Sequence, residues 1–187
     1  MTAREDILKT TCDLLELQGY SATGLNQIIK ESGSPKGSLY YYFPGGKEEL
    51  AAQALRAAGE IVLQRIRENL ATIESPADAI SGFINNIALH VEQSGFRAGG
   101  PITTVAMETA SSSERLRNEC DRIYNEWQAA FADKLQLGGV PESRAKRMAT
   151  LIISSIEGGV ILCRTSQSRE PLEQVAEEIG AWVNEAT

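Results

Sequence analysis

The apolar residues of this chain recur with the 3.6-residue period of an α-helix from end to end. No segment shows the strict apolar/polar alternation of a half-buried strand. In residues 3–18, for example, Ile7, Leu14 and Leu15 fall on one helical face. Glycine and proline residues interrupt the pattern and mark where one helix ends and the next begins. The sequence therefore predicts an all-α fold without a sheet.

The interruptions divide the chain of 187 residues into about nine helices. Pro76 and Pro171 stand where proline is tolerated, in the first turn of a helix. A chain of this length suits one domain, or a small domain joined to a larger one. The predicted helices cover residues 3–18, 25–32, 35–43, 47–70, 76–93, 103–110, 112–137, 142–165 and 171–186.

The second and third predicted helices are short, and the tight turn Gly33-Ser34-Pro35 separates them. Ile28 and Ile29 give the second helix an apolar face that can pack on the first. Ser34 is placed to cap the third helix, and Pro35 to occupy its first position. Three short helices with a tight turn between the second and third form a helix-turn-helix.

The third helix has two distinct faces. Leu39 and Phe43 are four residues apart and are expected to anchor the helix inward. A polar opposite face would fit the major groove of duplex DNA, which is about 12 Å wide. The residues on that opposite face are Lys36, Gly37, Tyr40 and Tyr41.

Three consecutive tyrosines, Tyr40 to Tyr42, cannot all face one core, so at least one ring must be exposed. Exposed aromatic side chains usually mark a binding surface. Their hydroxyls can donate to phosphates, and their rings can contact thymine methyl groups. The alternative is a hydrophobic surface strip without a function. Lys47 begins the next helix, where its charge and the free backbone N–H groups both favour a phosphate.

The charge of the chain is unevenly distributed. A net charge of −7 argues against a general polyanion binder, because phosphate affinity comes from clustered lysine and arginine. From residue 17 to residue 47, however, Lys30, Lys36 and Lys47 stand against one acid, Glu31. We therefore expect an acidic body with one basic surface that binds DNA.

The run from Gly19 to Leu50, GYSATGLNQIIKESGSPKGSLYYYFPGGKEEL, resembles the N-terminal domain of the TetR family of bacterial transcriptional repressors. The matching features are Gly-Tyr-x-x-Thr, the Ile-Ile pair, Pro-Lys-Gly-Ser-Leu-Tyr, Phe43 and the final Lys-Glu-x-Leu. The resemblance implies that the chain binds a double-stranded DNA operator. The DNA contacts it implies are Thr23, Ser34, Lys36, Gly37, Tyr40, Tyr41 and Lys47.

Two positions depart from the family pattern. Gly24-Leu25 stands where the family often has a small polar and a β-branched residue, and Tyr42 stands where histidine is common. In the rest of the chain Trp127 and Ile156-Glu157-Gly158, among others, are similar to one subgroup of TetR-like regulators. The implied organisation is a DNA-binding domain in residues 1–46 and a helical regulatory, ligand-binding and dimerisation domain in 47–187.

The helix predicted at 142–165 is apolar nearly all round, so it should be buried on more than one side. One side can face the core and another a second subunit, with Gly158 and Gly159 allowing close approach. The resemblance implies a homodimer formed by this helix and 171–186, and the alternative is the core helix of a monomer. The predicted interface residues are Ile152, Ile156, Gly159, Val160 and Trp182.

Aromatic and methionine side chains with a few polar groups are typical of a ligand cavity. At any single position ordinary packing is the better interpretation, but TetR-like proteins usually bind a small molecule in this domain. A small hydrophobic or aromatic effector is therefore expected. The predicted lining residues are Phe83, Ile87, His90, Met107, Tyr124, Trp127, Phe131 and Glu157.

An enzyme is the rival class. One histidine and three separated cysteines do not supply a metal site, and no nucleophile motif flanks a serine that His90 could serve. We therefore expect no catalysis, no metal and no cofactor. A helical scaffold without a DNA function would not explain the exposed tyrosines beside Lys36. We therefore expect a repressor that a small-molecule ligand releases from its operator, with an activator as the alternative that the sequence leaves open.

The cysteines, Cys12, Cys120 and Cys163, are scattered among apolar neighbours and are interpreted as reduced thiols of a cytoplasmic protein. The N-terminal sequence MTAREDILKT resembles neither a signal nor a transit peptide. Because no run of about 18 apolar residues occurs, no membrane-spanning helix and no membrane partner are expected.

Overall fold

The computed structural model describes residues 2–97 and 99–187. Within these ranges the chain forms nine helices and no strand, which confirms the predicted all-α fold. Their bounds are α1 Ala3–Ala22, α2 Leu25–Ser32, α3 Lys36–Tyr42, α4 Gly46–Thr72, α5 Pro76–Gln93, α6 Pro101–Thr109, α7 Glu114–Leu137, α8 Glu142–Ser166 and α9 Glu170–Asn184.

Helix α1 is longer than the sequence predicted, and it contains a kink. It opens with a capping box, in which the Thr2 hydroxyl accepts from the Glu5 N–H and the Glu5 carboxylate accepts from the Thr2 N–H. The helical backbone is interrupted at Gly19, directly after the predicted helix end at residue 18, with φ 78° and ψ 179°, and the chain then returns to helix up to Ala22. Such backbone angles are essentially confined to glycine.

The described chain divides into two compact units. Unit 1 comprises residues 1–61 and 100–123, and unit 2 comprises residues 62–99 and 124–187. The helix-turn-helix therefore belongs to a larger body than the predicted segment 1–46, because α6 and the first parts of α4 and α7 are included. Helix α6 packs directly on α1 within unit 1.

The core of unit 1 holds α1, α2, α3 and the start of α4 together. The buried side chains that form it are Ile7, Leu14, Ile28, Leu39, Phe43 and Leu50. Leu8, Leu25 and Ile29 pack against this cluster from its edge. The predicted apolar faces of the first three helices are confirmed.

Helices α4 and α7 approach closely inside unit 1. A Cβ added to Gly59 would lie 2.8 Å from Cγ1 of Ile123, so the absence of a side chain permits this contact. About one turn earlier on each helix, Arg56 pairs with the buried carboxylate of Glu119, which also pairs with Arg122.

Unit 2 is built on packing among α5, α8 and α9. The Ser81 hydroxyl donates to the carbonyl oxygen of Ala176 at 2.8 Å and joins α5 to α9. A Cβ on Gly159 would lie 2.5 Å from Cδ2 of Leu172, so α8 and α9 are in close contact at that glycine. Phe83 and Phe131 meet edge to face, with ring centroids 5.6 Å apart.

Helix α8 is long and apolar enough to cross a membrane by length and composition alone, with a mean hydropathy of 1.3 in its most apolar window. Of that window 44% is buried inside the chain. No segment of this kind was expected from the sequence. Its buried residues, such as Ile152 and Cys163, explain the composition, because a core helix passes the same test.

Candidate nucleic-acid interface

Helix α3 is held to unit 1 by its apolar face. Leu39 and Phe43 are both fully buried, as the four-residue spacing predicted. The guanidinium of Arg4 lies 5.9 Å from the centre of the Phe43 ring and covers this anchor from outside. Two buried side chains in the space of five residues fix which face of a seven-residue helix points outward.

The opposite face of α3 is exposed. Tyr40 and Tyr41 are 47% and 79% exposed, and Lys36 and Gly37 are also exposed. The Tyr42 ring packs edge to face against Tyr41, with ring centroids 5.1 Å apart. The arrangement presents one cation, two phenol groups and a glycine without a side chain on one convex surface.

The structure corrects the prediction for Ser34. Helix α3 begins at Lys36 with Pro35 as its N-cap, so Ser34 is neither the cap nor an exposed residue. Its hydroxyl donates instead to the carbonyl oxygen of Ala3, 3.5 Å away. Ser34 therefore ties the turn to the start of α1.

Thr23 is corrected in the same way. Its side chain is buried, and its hydroxyl donates to the carbonyl oxygen of Gly19 at 2.7 Å. Gln18 crosses the same corner and donates to the side chain of Gln27 at 2.9 Å. Thr23 thus stabilises the corner between α1 and α2 and does not offer its hydroxyl to a phosphate.

Lys47 lies in the first turn of α4, half-buried against the end of α1. Its ammonium stands 4.3 Å from the centre of the Tyr20 ring and donates to the carbonyl oxygen of Ser21 at 3.5 Å. Burial lowers the pKa of Lys47, while the negative charge of Glu108 acts in the opposite direction. The charge of Lys47 is thus held at a defined place beside the helix-turn-helix.

The comparisons with known proteins agree with this geometry. The family model "Bacterial regulatory proteins, tetR family" matches residues 7–54. The model "Transcriptional regulator LmrA/YxaF-like, C-terminal domain" matches residues 76–178. The regulator YxaF of Bacillus subtilis is 45% identical to this chain, across 97% of the chain and 95% of YxaF. The chain belongs to the TetR family.

Two further proteins are similar to this TetR-family chain over nearly its whole length. The Bacillus subtilis regulator LmrA is 42% identical, across 93% of each chain. The crystal structure of the reduced form of Escherichia coli NemR, a protein named as a transcriptional repressor, superposes with a TM-score of 0.84 at 25% identity. That match covers 95% of this chain and 96% of NemR. The chain is therefore a DNA-binding transcriptional regulator with a helix-turn-helix.

The residues predicted to line an effector pocket fall into different environments in this TetR-family chain. Phe83, Trp127 and Phe131 are buried, and the Tyr124 and Trp127 rings meet edge to face at 5.5 Å. Ile87, Tyr124 and Glu157 are half-buried, and His90 is exposed. Met107 belongs to unit 1 and is 84% exposed, so its prediction as a lining residue is corrected.

An open cleft of about 320 Å³ lies elsewhere in unit 2, between Phe96, Ile161, Arg164 and Thr165. None of the eight predicted pocket residues lines it. One signal in the sequence points to this cleft, because Phe96 follows a glycine in the Gly-rich stretch after α5. In the structure Phe96 has φ 58°, which is unusual for a bulky residue.

The predicted interface residues on α8 also need correction. Ile152, Ile156, Gly159 and Val160 are buried within unit 2 of the chain itself, and Trp182 is half-buried. Those four residues therefore contribute mainly to the core of the chain itself, and little of their surface is left exposed. The exposed apolar residues of α8 are Leu151, Ile161 and Leu162.

Glu108 was missed by the sequence argument. Its carboxylate accepts from the backbone N–H of Ser21 at 2.8 Å, at the end of α1. The two residues are 87 positions apart, so no local pattern connects them. Only the packing of α6 on α1 brings them together.

Proposed function

We propose that this chain is a homodimeric repressor whose α3 helices read an operator and that a small apolar or aromatic effector releases it. The observation that carries the proposal is the division of α3, with Leu39 and Phe43 buried and Tyr40 and Tyr41 exposed. A helix anchored in this way can enter the major groove as a rigid element. Repression is supported by the relative NemR, which is named as a repressor.

The proposed contacts follow from exposure and charge. Lys36 donates to a phosphate or to the edge of a guanine, and the absent side chain of Gly37 lets the backbone approach. The hydroxyls of Tyr40 and Tyr41 donate to phosphates while their rings contact thymine methyl groups. Lys47 adds a phosphate contact at the start of α4.

The homodimer is proposed through the exposed side of α8. Leu151, Ile161 and Leu162 are exposed, and a Cβ added to Gly158 would have no atom within 4 Å. These positions lie on one side of the helix over about three turns. A two-fold dimer places the same face of α8 from each copy in contact and gives two reading helices for two half-sites.

The effector is proposed to bind unit 2 near its aromatic side chains. Phe83, Tyr124, Trp127 and Phe131 form two edge-to-face pairs there, and Glu157 adds a polar group. An effector acts only through different affinities for two states. It would favour a dimer whose two α3 helices no longer match half-sites about one helical turn apart. We also propose that the protein acts in the cytoplasm, where its operator is, and that it has no enzymatic activity.

The test is DNA binding by the full chain, measured by fluorescence anisotropy on a duplex selected by the wild-type chain from a random library. Lys36→Ala combined with Tyr41→Ala should weaken binding at least about tenfold, because it removes two contacts of about 1 kcal/mol each. Arg144→Ala, which removes an exposed cation from α8, is the matched control and should bind like wild type. Full affinity of the double variant would refute the assignment of α3.

Effector release is tested in the same assay with a panel of small aromatic compounds. At least one compound should dissociate the wild-type complex, and Trp127→Ala should blunt that response without changing affinity for DNA alone. The apparent affinity should also fall steeply with salt. An affinity for DNA that does not change with salt would argue against phosphate contacts and against the assignment of α3 and Lys47 as the DNA-binding surface.

A further inference from the structure

A carboxylate from α6 completes the corner between α1 and α2. The kink at Gly19 interrupts the regular backbone hydrogen bonds of α1, and the carboxylate of Glu108 supplies an acceptor just beyond it. Its Oε2 accepts from the Ser21 N–H at 2.8 Å. Helix α6 lies outside the part of the chain that matches the DNA-binding family model, residues 7–54.

Gly19 makes room for this contact in two ways. Its φ of 78° is one that residues with a side chain rarely adopt. In addition, the Glu108 carboxylate occupies the space where a Cβ on Gly19 would be. The glycine of the Gly-Tyr-x-x-Thr pattern therefore lies directly against an acid 89 residues further along the chain (108 − 19).

The backbone of Ser21 also holds Lys47, through the next peptide group along the chain. The Ser21 N–H donates to Glu108, and the Ser21 carbonyl oxygen accepts from the Lys47 ammonium at 3.5 Å. The ammonium is fixed from another side by the Tyr20 ring, 4.3 Å away. Glu108 and Lys47 are thus linked through one residue of α1, and a shift of that residue would displace the ammonium.

We propose that Glu108 is a positioning residue for DNA binding. Through the Ser21 backbone it fixes the corner after Gly19 and places the Lys47 ammonium for a phosphate of the duplex. The inference rests on the proposed phosphate contact of Lys47 and adds a partner from α6 that touches no DNA itself.

Two properties of the carboxylate act on DNA binding with opposite signs. As an acceptor it orders the corner and favours binding, whereas its negative charge repels the phosphates nearby. Glutamine retains an acceptor oxygen without the charge, and alanine removes both. The expected order of affinity is therefore Glu108→Gln equal to or tighter than wild type, and Glu108→Ala weaker.

The experiment measures affinity for the library-selected duplex at several salt concentrations. Glu108→Ala should weaken binding about five- to thirtyfold for each half-site, the effect of one lost charge-assisted hydrogen bond per subunit. The slope of log affinity against log salt should fall in magnitude by about 1.8 for the proposed dimer, since one phosphate contact worth about 0.9 is lost at each half-site. Glu108→Gln should retain the wild-type slope. Glu60→Ala removes an exposed acid from α4 in the same unit and should leave both quantities unchanged.

Two outcomes would overturn the proposal. The first is a Glu108→Ala variant that binds DNA as tightly as wild type or more tightly, because charge repulsion alone would then matter. The second is a Glu108→Gln variant that loses as much affinity as the alanine variant. Circular dichroism must show that each variant is folded, and if alanine unfolds the chain, Glu108→Asp tests the same contact, since the shorter acid should also weaken binding.

A double-mutant cycle separates this inference from the role of Lys47. If Lys47→Ala changes neither affinity nor salt slope, the proposed phosphate contact fails first. If Lys47→Ala weakens binding, the effect of Glu108→Ala should be smaller in the Lys47→Ala background, because the two act through one contact. Fully additive losses would contradict the coupling while leaving the role of Lys47 intact.

Discussion

Arg56 of α4 donates two hydrogen bonds to the carboxylate of Glu119 of α7. Its Nε lies 3.1 Å from Oε1 and its Nη2 lies 2.7 Å from Oε2. Arg122 adds Nε and Nη2 contacts to the same Oε1 at 3.1 and 2.6 Å. The carboxylate is buried, whereas the Arg56 and Arg122 side chains are 54% and 38% exposed. The two arginines therefore hydrogen-bond and neutralise the buried carboxylate from its solvent side.

Arg56→Ala should lower the free energy of unfolding by about 1 kcal/mol, because Arg122 still neutralises the acid and solvent screens the exposed arginine. Urea unfolding followed by circular dichroism measures the change. Arg67→Ala, on the same helix and also exposed, serves as the control and should change stability by less than about 0.5 kcal/mol. If the two substitutions changed the free energy of unfolding equally, the Arg56–Glu119 pair would not stabilise the fold.

The same carboxylate predicts an acid-sensitive contribution to stability. Burial alone would raise the pKa of Glu119, but the hydrogen bonds and charges of Arg56 and Arg122 outweigh it and lower the pKa below its ordinary value of 4.5. A lowered folded-state pKa stabilises the fold above the unfolded value and loses this effect as the pH falls through the folded-state pKa. The stability gap between wild type and Glu119→Gln should be constant above about pH 5.5 and should shrink below pH 4.5. A stability difference between wild type and Glu119→Gln that grows toward acid pH would contradict a lowered pKa of Glu119.

Leu39 and Tyr41 should give opposite results although they are two positions apart on α3. Leu39→Ala should cost about 2–5 kcal/mol of stability, because it leaves a cavity in the unit 1 core. Tyr41→Ala should change stability by less than about 0.5 kcal/mol and weaken DNA binding at least about fivefold. Urea unfolding and anisotropy on the same preparations make the comparison. A stable Leu39→Ala variant would show that α3 is not anchored as described.

The sequence predicted α3 well because its two faces are set by local spacing. Leu39 and Phe43 are one helical turn apart, and both are fully buried. The prediction that Ser34 caps α3 was wrong because capping rules consider only neighbours in the chain. The partner of the Ser34 hydroxyl is Ala3, 31 residues earlier, and no local rule anticipates it.

Periodicity could not assign the faces of α8 for a related reason. The helix is apolar nearly all round, so adjacent Leu151 and Ile152 look equivalent in sequence, yet Leu151 is exposed and Ile152 fully buried. What decides between them is the position of α9, whose Leu172 packs against Gly159. That contact depends on tertiary packing, as does the contact of Glu108 with Ser21.

The thiols should be unreactive in the folded chain. Burial, with added repulsion from Asp13 and Glu16, raises the pKa of Cys12 to about 12, and burial raises that of Cys120 to about 11. Because the thiolate is the nucleophile, Ellman's reagent at pH 7.5 should modify the native chain more than about a hundredfold more slowly than the chain in guanidinium. Cys12→Ser should remove most of the residual native rate, since Cys12 is the half-buried thiol. A native thiol that reacts as fast as free cysteine would contradict the burial.

The exposed face of α8 gives the last prediction. Ile161 and Leu162 are 52% and 56% exposed in the single chain, so a charge at Ile161 should not disturb the chain's own core. At a two-fold interface, however, the substitution buries two like charges against each other, which is strongly unfavourable. Sedimentation at micromolar concentration should therefore show a wild-type dimer and an Ile161→Glu monomer, with DNA affinity reduced because two half-sites are no longer bound together. Leu137→Glu makes the same change at a more exposed position on α7 and should remain dimeric. If the Ile161→Glu variant remained dimeric, the dimer interface would have to lie somewhere other than the exposed face of α8.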